Sequence, residues 1–246
     1  MASLQIEILQ IPEDANKAAA ELLAEWVLPP GVRNVMLAAG NTPLELYRRI
    51  GSLGLRLDHL RLHALDEYVG VPVDEPRNCA NLIRRTAVEP WGVPPEHYFS
   101  VSSDPAEAGR SVLDHERRIE DAGGLDVVVL GLGQNGHLGF NEPGSTRDCG
   151  ARVLDLDPIS VEANRKWFGG DHAPSRGATI GMKTLLSARR VLVMAYGLHK
   201  AAAVKAMILG PCSSSCPASF LRDHPHTTLF LDTAAAVDLL PELDPK

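Results

Sequence analysis

The segment from Gly131 to Gly144, GLGQNGHLGFNEPG, follows directly on the apolar run LDVVVL from Leu125 to Leu130. A strand therefore empties into a glycine-rich turn carrying His137 and Glu142. The glycines let the backbone take positive φ and let a ligand approach the chain closely. An imidazole, which titrates near neutrality, and a carboxylate within its reach form a pair able to give and take protons. Gly131, Gly133 and Gly136 have a spacing also met in dinucleotide-binding turns, and the histidine directly after Gly136, with Glu142, favours acid/base chemistry here. No lysine follows Gly136 as in a P-loop.

Three other apolar runs end in polar residues. Asn34 to Ala38 runs into Gly40, Asn41 and Thr42; Leu60 to Leu65 stops at Asp66 and Glu67; Arg190 to Tyr196 is followed by Gly197-Leu198-His199-Lys200. In an open α/β sheet, ligands bind beyond the carboxyl ends of the strands, so these groups are expected at one crevice. Backbone N–H groups at a helix start, with a lysine, suit a phosphate. Carboxylates and a histidine beside it can move protons on whatever the phosphate anchors. The pattern points to a sugar phosphate undergoing acid/base chemistry, with Lys200 expected to be exposed at its strand-to-helix turn.

The elements that must hold these residues follow from periodicity. Leu4 to Leu9, Asn34 to Ala38, Leu60 to Leu65, Asp126 to Leu130, Arg190 to Tyr196 and Thr228 to Asp232 read as strands. Glu13 to Val27, Leu44 to Gly51, Asn78 to Val88 and Pro105 to Ala122 read as helices. Their alternation predicts a doubly wound, mostly parallel, Rossmann-like α/β sheet with helices on both faces. One domain is expected over residues 1–246, with an irregular stretch from about 144 to 175, rich in Gly, Asp and Arg, as a lid or substrate loop.

With 246 residues and 45% hydrophobic content, the chain can bury a large core. A formal charge of −7 and basic runs no longer than pairs such as Arg84-Arg85 argue against a nucleic-acid surface. No apolar run approaches a membrane span and no leader pattern opens the chain, so a cytoplasmic protein is expected. The cysteines Cys79, Cys149, Cys212 and Cys216 form no C-x-x-C pair; reduced thiols and no metal site are expected.

The ordered motifs AGNTP (Ala39 to Pro43), LDEYVG (Leu65 to Gly70), GLGQNGHLGFNEPG, Arg165-Lys166 before Trp167-Phe168, GLHKA (Gly197 to Ala201) and PASFLRDHP (Pro217 to Pro225) span most of the chain. In these the sequence resembles the glucosamine-6-phosphate deaminase family, which includes galactosamine-6-phosphate deaminases and is related to 6-phosphogluconolactonases. The resemblance implies conversion of an amino-sugar 6-phosphate and water to a ketose 6-phosphate and ammonia, without metal or organic cofactor, within N-acetylglucosamine catabolism. By matching position, Asp66 is the carboxylate that shuttles a proton between C2 and C1, His137 the ring-opening histidine, and Glu142 its acidic partner. Gly40, Asn41, Thr42, Gly136 and Lys200 match substrate-binding positions. Lys166 stands where relatives usually have arginine, with Arg165 beside it as the alternative phosphate contact.

The chain departs from the pattern at Asn135, an aspartate in many relatives. An amide can orient an imidazole by hydrogen bonding but cannot stabilise its cation by charge. The resemblance leaves a homo-oligomer open, since some members are hexamers. Allosteric activation is not expected, because Leu154 stands two residues after Arg152 in place of a lysine and the chain ends soon after Leu240. A lactonase would carry a Ser-Leu-Phe-Pro type segment where Phe140-Asn141-Glu142-Pro143 stands. A repressor's sugar-phosphate sensor would need a DNA-binding module, for which a first strand at Leu4 leaves no room. The choice between the glucosamine and galactosamine epimers is not readable from these motifs.

Overall fold

Period-2 burial dictates the centre of the molecule, seen here in a computed structural model describing residues 4–170 and 173–243, with side chains through 241. Ten strands are described: β1 (Gln5–Leu9), β2 (Asn34–Leu37), β3 (Arg61–Ala64), β4 (Asp66–Tyr68), β5 (Tyr98–Phe99), β6 (Val127–Gly131), β7 (Arg152–Asp155), β8 (Arg176–Thr179), β9 (Arg190–Ala195) and β10 (Thr227–Asp232). Seven of them form a sheet in the order β1-β10-β9-β6-β2-β3-β5, with every neighbouring pair parallel. A parallel strand is covered on both faces, so its residues are apolar throughout and alternate between two cores. Val128 and Leu130 of β6 pack with Met36 on one face, while Val127 and Val129 pack with Val35 and Leu37 on the other.

Helices supply both covers, as the alternation predicted. Helices α1 (Pro12–Val27) and α2 (Leu44–Ser52) bury Leu23, Leu46 and Ile50 on the Val127 side. After the short α3 (Cys79–Ile83), which runs on into a π-helical turn at Arg84–Val88, α4 (Ala108–Asp121) covers the Val128 face with Val112 and Ile119. The expected helix over Pro105 to Ala122 thus starts at Ala108.

The order of strands fixes where a ligand can enter. From β2 the chain steps outward through β3 to β5, then returns to lay β6 on the other side of β2 and steps the opposite way to β9 and β10. The connections leaving β2 and β6 therefore diverge and open a crevice at the sheet's switch point.

The expected irregular stretch contains regular structure. Between Gly144 and Ser175 lie β7 and α5 (Pro158–Trp167), whose start is capped by the Asp157 side chain accepting from the Ile159 N–H; residues 171 and 172 lie outside the described residues. A second sheet, β4-β8-β7, is antiparallel. Its strand β4 begins at Asp66, where a strand end was expected. Beneath α5, Tyr68, Val71, Phe140, Leu156 and Phe168 form a third, smaller core.

Candidate active site

Four adjacent central strands, β9, β6, β2 and β3, each deliver one of the expected groups to a cavity of about 180 Å³. Lys200 follows β9, Gly133 to His137 follow β6, Gly40 to Thr42 follow β2, and Asp66 follows β3 by two residues; all but Asn135 and Gly136 line the cavity. Gly40 has φ 95°, the turn that brings the Asn41-Thr42 backbone to the start of α2.

Asp66 and Glu67 lie on opposite faces of β4 and do different work. Glu67 is buried and its carboxylate accepts from the backbone N–H groups of Tyr68, Cys79 and Ala80 at 2.8, 3.0 and 2.9 Å, fixing the start of α3. Asp66 faces the cavity over Gly139, where even a methyl group would stand 3.1 Å from Asp66 Oδ2. Burial, reinforced by the Glu67 charge, pushes the Asp66 carboxyl up to about 7. That places a base at the protonation boundary for neutral pH, as general acid/base work requires.

His137 leans on Glu142. Its Nδ1 lies 3.1 Å from Glu142 Oε2, so with the proton on Nδ1 the other ring nitrogen, Nε2, remains free for chemistry. Burial is the largest single influence on the Glu142 carboxyl and raises it, but its hydrogen bonds and the nearby imidazole together outweigh burial and hold the group below the usual range. The ring packs against Gly133, where a Cβ would fall 2.4 Å from Nε2.

Lys200 corrects the expectation of an exposed side chain. It is half-buried, its Nζ donates to the Leu132 carbonyl at 2.7 Å, and burial lowers the ammonium to about 8. Asn135 also differs in its contact. Its Nδ2 donates to Glu142 Oε2 at 2.8 Å and its Oδ1 accepts the His137 backbone N–H at 3.3 Å, so it supports the imidazole's partner and not the ring.

Three expected substrate contacts fall outside the cavity. Gly136, with φ 85°, shapes the turn against Cys216, whose Sγ would lie 2.5 Å from an added Cβ. Arg165 and Lys166 are exposed and pair with Glu162 at 3.5 and 3.8 Å. The reason is helical period: Ile159, Ser160, Ala163 and Asn164 make the stripe of α5 that faces the cavity, and residues 165 and 166 follow on its far flank.

The model of the family described as glucosamine-6-phosphate isomerases/6-phosphogluconolactonase matches residues 10–230. The chain belongs to this family. It is 39% identical to a glucosamine-6-phosphate deaminase of Corynebacterium kroppenstedtii over 96% of this chain and 93% of that one. Identity to the deaminase of Bifidobacterium longum subsp. infantis is 37%, over 94% and 91% of the two chains. Among solved structures, one described as a monomeric glucosamine-6-phosphate deaminase superposes with TM-score 0.91 at 28% identity, covering 96% of this chain and 100% of that one. A 6-phosphogluconolactonase from Trypanosoma cruzi, 20% identical with TM-score 0.80 over 97% of each chain, shares the fold.

In this member of the glucosamine-6-phosphate isomerase/6-phosphogluconolactonase family the cavity has further walls that sequence reasoning missed. Tyr68, Cys79, Gln134, Ser160 and Asn164 all line it. The available signal was on α5: two polar residues, Ser160 and Asn164, four apart on one helical stripe. Asn141 is fully buried and holds the loop, donating to Leu138 and Ile180 carbonyls and accepting from Arg152.

Proposed function

We propose that this protein converts glucosamine 6-phosphate and water to fructose 6-phosphate and ammonia. The observation that carries the reading is the convergence on one cavity of a buried carboxylate raised to about 7, a carboxylate-supported histidine and a half-buried, positively charged phosphate cradle. The 34–39% identical deaminases support the same substrate class.

In this reading Lys200 and the backbone N–H groups of Gly40 to Thr42 hold the phosphate dianion, and that remote binding orients the reacting carbons. His137, through Nε2, takes the anomeric hydroxyl proton and returns a proton to the ring oxygen, opening the pyranose. Asp66 then removes the proton from C2 and delivers it to C1, while O1 gains a proton and the amine loses one, so that C1 becomes a CH2OH group and C2 an imine. Water adds to that carbon, the C–N bond breaks and ammonia leaves. The net reaction is a hydrolysis that uses side chains and water without metal, in the cytoplasm. The candidate lid, residues 144–175, supplies α5 as the cavity's roof, and the site residues belong to a single domain.

An ammonia-release assay tests the reading directly. Purified protein with EDTA should release ammonia from glucosamine 6-phosphate, with galactosamine 6-phosphate and 6-phosphogluconolactone run in parallel. Turnover of the lactone alone, or release from neither amino sugar by folded protein, overturns it.

A further inference from the structure

Helix α5 touches the His137–Glu142 pair through one buried side chain. Ser160 Oγ lies 3.3 Å from His137 Nδ1, and the same hydroxyl helps hold the Glu142 carboxyl below its usual range. Glu142 Oε2 is met by Asn135 Nδ2 at 2.8 Å and His137 Nδ1 at 3.1 Å, with the Ser160 hydroxyl beside the pair. A ring nitrogen that gives its N–H to a carboxylate has no lone pair to offer, so the serine hydrogen goes to Glu142 and its oxygen faces Nδ1–H. One turn along α5, Asn164 accepts from Tyr68 OH at 2.9 Å and donates to the Pro174 carbonyl at 2.9 Å. The helix is thus anchored beside Asp66's own strand, β4, with Ser160 held at fixed reach.

We propose that Ser160 is a positioning residue that closes a three-membered His137–Glu142–Ser160 network and locks the imidazole in its Nδ1–H tautomer, with Nε2 presented to the substrate. The arrangement makes ring-opening competence depend on α5 being seated over the cavity. What Nε2 does to the sugar rests on the deaminase reading; the tautomer lock does not.

The test exploits an isosteric pair. Ser160→Thr keeps the hydroxyl and Ser160→Val removes it at nearly constant volume. Ser160→Val should lower kcat about 10-fold or more while leaving KM within about 2-fold, since misorientation of a reacting group costs the chemical step and not remote phosphate binding. Ser160→Thr should restore kcat. The ¹⁵N NMR signals of the His137 ring should report one protonated nitrogen in the parent and in Ser160→Thr, and move toward tautomer-averaged positions in Ser160→Val. If the valine variant does not fold, Ser160→Ala takes its place. A hydroxyl-free variant with the parent's ring signals or the parent's kcat overturns the proposal. If the parent releases no ammonia, the deaminase reading falls, and the NMR comparison still decides the role of Ser160.

Discussion

The Asn135 carboxamide donates to Glu142 Oε2 at 2.8 Å and makes its other contact with the His137 backbone, so position 135 acts on the imidazole at one remove. An aspartate there would set two carboxylates within hydrogen-bonding distance, and such a pair cannot both ionise freely. Asn135→Asp should keep activity, since the pair can share one proton, and should shift the acid limb of kcat/KM to higher pH. A pH profile that overlies the parent's would show that position 135 is not electrostatically coupled to the acid/base pair.

The Asp66 carboxyl, raised to about 7, and the Lys200 ammonium, lowered to about 8, bracket a narrow working range. If Asp66 must be ionised and Lys200 protonated, kcat/KM rises with pH through about 7 and falls above about 8. The profile is expected to be bell-shaped, and a flat response from pH 6 to 9 would remove both assignments.

Asp66 also carries a stability cost whose sign is fixed. Its folded-state pKa lies above the unfolded one, so it favours folding at low pH, and that contribution is lost as pH rises from about 4 through about 7. Asp66→Asn should therefore lower kcat by roughly 10² to 10⁴ yet raise Tm by several degrees at pH 8. Calorimetry at pH 5 and pH 8 checks it, with the gain expected at the higher pH alone.

Removing the half-buried cation is expected to act on binding. Lys200→Ala should raise KM about 10-fold or more, with the gap to the parent widening at low salt. An unchanged KM with reduced kcat would place Lys200 in the chemical step and not in phosphate binding.

Gly133 offers a purely steric test. A Cβ at this position meets the His137 ring at 2.4 Å, so Gly133→Ala must turn or displace the imidazole. The expected result is a fall in kcat of about 10² with folding retained, since a displacement near 1 Å costs on that order. An alanine variant with the parent's kcat would mean that the ring's position is not critical.

The parallel sheet was legible because its strands, buried on both faces, are nearly unbroken runs such as Val127 to Leu130 and Val191 to Ala195. β7 and β8, reading RVLD and RGAT, are short and carry arginine, glycine and aspartate, so neither alternation nor apolar length marks them as strands. At the site, Asp66, His137, Glu142 and Lys200 stood out because their types and strand-end positions announce chemistry. The placement of Arg165 and Lys166 rested on matching position alone, and the phase of α5 carried them away from the cavity. Ser160 gave no such announcement: its stretch reads as irregular, and the four-residue spacing to Asn164 marks a shared face only once the segment is known to be a helix.

The separateness of the small core under α5 sets how the molecule breathes. Tyr68, Phe140 and Phe168 belong to neither of the clusters flanking the main sheet, so their unpacking leaves β6 and β9 paired. Amide protons of α5 should then exchange with deuterium through a local opening far less costly than global unfolding, while those of β6 wait for the whole fold to open. A phosphorylated sugar bridging Lys200 and the roof would slow exchange in α5 and leave β6 unaffected, making hydrogen exchange a direct report of how often the cavity is uncovered.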